Sequence, residues 1–92
     1  MLNKENRNRC SKVIDIYPRL NQLQIAQEEA AEFIQAVSKY LRYGDIEPLM
    51  EEYADLCVVM EEVRQMFHIE ADEVNRRADK KLYRVLEGKV AP

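Results

Sequence analysis

The sequence predicts an all-α fold, a small antiparallel bundle of about four helices. Two glycines and three prolines in 92 residues are too little punctuation for an all-β chain with its many turns. The composition is rich in Glu, Ala, Leu, Lys, Arg and Gln, all good helix formers. Apolar residues also recur three and four positions apart over long stretches. With 47% apolar and 34% charged residues, the chain suits one globular domain spanning residues 1–92.

The first helix is expected over about Asn3 to Ile16, with Cys10, Val13 and Ile14 at helical spacing behind a polar start. Pro18 disfavours the helical conformation at Tyr17 and closes it. The second runs from about Arg19 to Tyr43, and Gly44 follows where a left-handed stop belongs. Pro48 suits the first turn of a third helix, about Pro48 to Phe67. Its run Leu56, Cys57, Val58, Val59, Met60 covers more than one face. This predicts deep burial, or burial both within the subunit and against a neighbour, with Cys57 as a buried small hydrophobe. His68 to Asp72 reads as a short loop before a fourth helix, about Ala71 to Leu86. Short connections favour antiparallel neighbours.

Fourteen basic against 17 acidic residues give a net charge of −3, which argues against a polymeric nucleic-acid partner. No apolar run approaches the roughly 18 residues of a membrane span, and MLNKENRNRC has no secretory apolar segment, so no membrane partner is expected. Two cysteines are too few for a disulfide scaffold, which favours a reducing cytoplasm. A chain this short buries only about 60% of its unfolded surface, so self-association into a homo-oligomer is expected.

The acids are distributed unusually. On a wheel with Glu29 at 0°, Ile25, Ala36 and Phe33 fall at about −40°, −20° and +40°, with Glu32 at about −60° and Glu28 at about −100°. With Glu52 at 0°, Asp55 falls at about −60° among Leu56, Val59, Val63 and Met66. Each helix thus turns an acidic pair toward the interior, where unpaired carboxylates are rarely tolerated. If the helices pack antiparallel the four carboxylates converge, and two charges 4 Å apart repel by about 4 kcal/mol at an effective dielectric of 20. A cation has to sit there. It is either Arg or Lys of the fourth helix or a hard divalent ion such as Mg²⁺ or Mn²⁺, for which all-oxygen ligands are suited. On the fourth helix Lys81 falls in line with Val74, Ala78 and Val85, bordered by Arg77 and Arg84. These cations could pair with the acids or hold a phosphate. Gln22 could read a base edge, and Tyr40 or Tyr43 could stack on a base.

The residues also carry a resemblance. Glu28-Glu29-Ala30-Ala31-Glu32 is similar to the EExxE half of the MazG-type nucleotide pyrophosphohydrolase signature, and Glu52-Tyr53-Ala54-Asp55 to its ExxD half. The stretch between them, Phe33 to Glu51, lies within the family's usual gap. QIAQEEAAEFIQAVSKYLRYG and MEEYADLCVVMEEV resemble the two central helices of a short MazG-like protein, and Lys80 to Arg84 its following basic segment. The likeness spans about Asn21 to Arg84, with His68 where related sequences often carry Gly.

This resemblance implies the all-α NTP pyrophosphatase fold, in dimers or dimers of dimers. It also implies Mg²⁺-dependent hydrolysis of a nucleoside triphosphate to monophosphate and pyrophosphate. Glu29, Glu32, Glu52 and Asp55 would be metal ligands, Glu28 an accessory acid positioning the water, and Lys81 and Arg84 the basic positions. The chemistry suits the residues: cleaving an anhydride of a polyanion needs neutralised charge and an oriented water, not a protein nucleophile. A competing expectation is a non-catalytic helical module or nucleotide-binding regulator, whose acids are structural partners of Lys81 and Arg77.

Overall fold

In a computed structural model, which describes residues 1–92, the chain forms α1 (Lys4–Ile16), α2 (Arg19–Tyr43), α3 (Ile46–Met66) and α4 (Ala71–Leu86), with no strand. Asn3 starts α1, its Oδ1 accepting from the Asn6 N–H at 2.8 Å. Pro18 keeps Tyr17 extended at φ −104°, ψ 145°. At Gly44 the backbone turns left-handed (φ 70°) and its N–H closes on the Tyr40 carbonyl. α3 begins at Ile46, ahead of the expected Pro48, because Asp45 Oδ1 accepts from the Glu47 N–H at 3.2 Å. Pro48 costs nothing there, since the first four helical N–H groups have no intrahelical acceptor.

Gly44 and Asp45 fold α2 back onto α3 in the main helix–helix interface, and α1 packs on α3. Cys10, Ala36, Val59 and Met66 are buried, and the Phe33 and Tyr53 rings meet at a 6.3 Å centroid separation. A polar seam joins α1 to α3: Ser11 Oγ donates to Gln65 Oε1 at 2.6 Å, and Gln65 Nε2 donates to the Arg7 carbonyl at 2.9 Å. Arg19, at the start of α2, donates to the Met66 carbonyl at 3.1 Å and lies 5.2 Å from the Phe67 ring centroid. It therefore ties the beginning of α2 to the end of α3.

The deep-burial reading of the α3 run and the buried place of Cys57 are corrected. The apolar run on α3 buries only Val59; Leu56 and Cys57 are half-buried, while Val58 and Met60 are exposed. Cys10, not Cys57, is the buried thiol. The four helices form as expected, with α4 standing largely apart from the other three. It has no buried residue and no broad interface with α1, α2 or α3. The radius of gyration is accordingly 15.3 Å, against about 12 Å for a compact chain of this length. No helix is long and apolar enough to cross a membrane.

Candidate metal centre and its flanking cavities

Glu29 of α2 and Glu52 and Asp55 of α3 each bring one carboxylate oxygen to within 4.8 Å of the other two. The helices create this convergence: Glu52 and Asp55 share one face of α3, and Glu29 meets them across the interface. Oε2 of Glu29 and Oε2 of Glu52 are buried and have no hydrogen-bond partner. Burial pushes the Glu29 carboxyl above the ordinary range, and the charges of Glu32, Asp55 and Glu52 push it further. The Glu52 carboxyl is raised by burial first, then by Glu32 and Asp55. No basic side chain relieves these acids; the ion pairs of the chain are Arg9–Glu5, Arg64–Glu61, Arg76–Glu73 and Arg77–Glu73. Three oxygen donors with two orphaned buried oxygens suit a hard divalent cation.

The other sequence-predicted residues surround this centre unequally. Glu32 is exposed and stands outside the group of three, although its charge reaches Glu29 and Glu52. Glu28 is exposed on α2. Gln22 is buried, in a cavity of about 530 Å³ between α1, α2 and α3 that also takes in Glu29 and Asp55. Tyr40 and Tyr43 are exposed toward the far end of α2 and do not line that cavity. Arg77 donates to Glu73 at 2.7 Å. Lys81 and Arg84 are exposed without an ion pair and share a basic recess of about 340 Å³ with Arg76 and Lys80 on α4 itself.

Two residues of the surroundings escaped sequence reasoning. Glu62 is buried in the same cavity as Gln22. The signal was its place seven residues after Asp55, about −20° away on the wheel. Lys39 lines a second recess, about 280 Å³, with Glu32 and Glu52. The acidic centre thus stands between a partly apolar cavity on one side and a polar recess carrying a cation on the other. Comparison with models of protein families, with curated proteins and with solved structures returned no match.

Proposed function

We propose that this chain is a Mg²⁺-dependent nucleoside triphosphate pyrophosphohydrolase, converting a triphosphate to its monophosphate and pyrophosphate. One observation supports it above the rest: two buried carboxylate oxygens without partners, in a cluster of three acids that no basic residue of the chain neutralises. Glu29, Glu52 and Asp55 would hold the ion, with Mn²⁺ a possible substitute, and Glu32 would join them at the exposed edge. When bound, the ion supplies positive charge to the phosphate oxygens and to the leaving pyrophosphate. The residues do the rest. Glu28 would position the water, and Glu29, through an oxygen not committed to the ion, would accept its proton as the water oxygen bonds to phosphorus and the anhydride P–O bond breaks. The base and sugar would occupy the larger cavity, and the polyphosphate would extend toward Lys39. Lys81, Arg84 and Arg77 would bind phosphate from α4 once subunits associate, because α4 is not folded over the acids of its own chain. Both cysteines are free, in keeping with a cytoplasmic, nucleotide-clearing role.

Pyrophosphate release from a panel of ribo- and deoxyribonucleoside triphosphates, with and without Mg²⁺, tests this. Turnover should require the ion and fall by more than about 100-fold in Glu29→Gln and Asp55→Asn, exceeding the usual cost of losing an outer-shell partner. No turnover on any nucleotide, together with no Mg²⁺ binding by calorimetry, would refute it.

A further inference from the structure

Gln22 and Glu62 are the two buried polar residues of the chain, each 5% exposed. Both line the cavity of about 530 Å³ beside the acidic centre. Polar groups on nearby turns are partnered: Ser11 with Gln65, Gln65 with Glu61, Arg19 with the Met66 carbonyl. Neither the Gln22 amide nor the Glu62 carboxyl has such a partner, although both residues line the cavity and their polar atoms are not fully enclosed by protein. An amide and a carboxyl on otherwise buried residues, accessible and without an internal partner, mark a place for a polar ligand.

Their position specifies the ligand further. Gln22 lies seven residues before Glu29 on α2, and Glu62 seven residues after Asp55 on α3. Because the helices run antiparallel, the two sit at one end of the cavity, about 10 Å along the helix axes from the acids. That is the span of a base and a pentose. Val13, Ile25 and Val58 with Tyr17 supply apolar wall suited to a flat ring.

We propose that Gln22 and Glu62 form the floor of a nucleobase subsite selective for the amino-and-ring-nitrogen edge of adenine and cytosine. Glu62 accepts from the exocyclic amino group, and the Gln22 amide donates to the neighbouring ring nitrogen. This deepens the nucleotide-hydrolase reading and rests on it. Hypoxanthine and uracil would set a carbonyl oxygen against the Glu62 oxygens, leaving buried acceptors unpaired. Burial alone raises the Glu62 carboxyl above its ordinary range, as expected of an acceptor whose donor arrives with the ligand.

NMR titration of the full chain with adenosine, cytidine, inosine and uridine tests the subsite without metal, phosphate or turnover. Adenosine and cytidine should bind at least about ten-fold more tightly than their oxo counterparts, the discrimination one good paired edge provides, and should shift the Gln22 side-chain amide. Glu62→Gln, isosteric and free of the buried charge, should reduce the preference to within about two-fold, since an amide meets either edge. Equal affinities, no binding by any nucleoside, or a preference that survives in Glu62→Gln would overturn the proposal. Nucleoside selectivity without pyrophosphate release would refute the hydrolase reading and leave the subsite standing. Hydrolysis with no base preference would do the reverse.

Discussion

At Glu29 and Glu52 the metal-free protein holds two carboxyls above their ordinary range, mainly through burial and then through neighbouring acids. A carboxyl whose native pKa is raised binds more protons folded than unfolded. Its contribution to stability is therefore greatest below the unfolded value and falls as pH rises through the native one. Glu73 works in the opposite direction: Arg76 and Arg77 pull it down to about 2, so its contribution is present above the ordinary value and is lost as pH falls toward about 2. Metal-free melting temperatures should accordingly rise from neutral to mildly acidic pH before dropping in strong acid. Glu29→Gln combined with Glu52→Gln should raise the metal-free melting temperature at neutral pH by a few degrees and flatten that slope. Mg²⁺ should stabilise the parent at neutral pH by mass action and leave the double variant unmoved. Calorimetric scans across pH, with and without Mg²⁺, read all of this, and a double variant less stable than the parent would refute it. These acids were legible in the sequence because carboxylates on an apolar stripe demand an explanation. Lys39 was not, since only packing distinguishes a recess-lining Lys from the solvated residues around it, and Glu62 showed only through its alignment with Asp55 on the wheel.

His68 carries the clearest strain among the elements. It closes α3 at φ 52°, with its N–H on the Gln65 carbonyl and the Ile69 N–H on the Arg64 carbonyl at 2.9 Å. This is the Schellman arrangement, which Gly88 completes without strain at the end of α4. A left-handed L-residue costs roughly 1–2 kcal/mol, and glycine returns part of that gain as unfolded-state entropy. His68→Gly should therefore stabilise the chain by about 0.5–1 kcal/mol, read in urea as a higher midpoint at unchanged slope. A lower midpoint would mean that the imidazole makes contacts worth more than the strain. Asp45→Ala should cost about 1 kcal/mol through the lost cap. The helices were readable because their stops are chemical: Pro18 acts through sterics and Gly44 through its missing Cβ. The start of α3 was misplaced because Pro is tolerated throughout the first turn, whereas the Asp45 side chain selects one N–H.

At the scale of the whole molecule, only six of 92 residues are buried, although the apolar content is that of a globular protein. The surplus is spread over the outer faces of α2, α3 and α4: Leu82 is 56% and Leu86 87% exposed on α4, Leu20, Ile34 and Leu41 stand open along α2, and Met50 and Met60 along α3. The sequence pattern on α4 correctly implied an apolar face, but periodicity cannot say whether that face meets its own chain. The proposed homo-oligomer would supply the missing cover and would bring α4 cations toward a neighbour's acidic centre. If subunits hold one another folded, the melting temperature must rise with protein concentration, because association is linked to folding. Light scattering should give a mass of at least a dimer. Leu82→Glu with Leu86→Glu should lower that mass and remove the concentration dependence. Because α4 has no broad interface with the rest of its chain and Leu82 and Leu86 are exposed, the variant should keep the helicity of α1–α3. A monomeric parent whose melting temperature is independent of concentration would refute the assembly, and with it the role given to Lys81, Arg84 and Arg77, while leaving the Glu29–Glu52–Asp55 centre untouched.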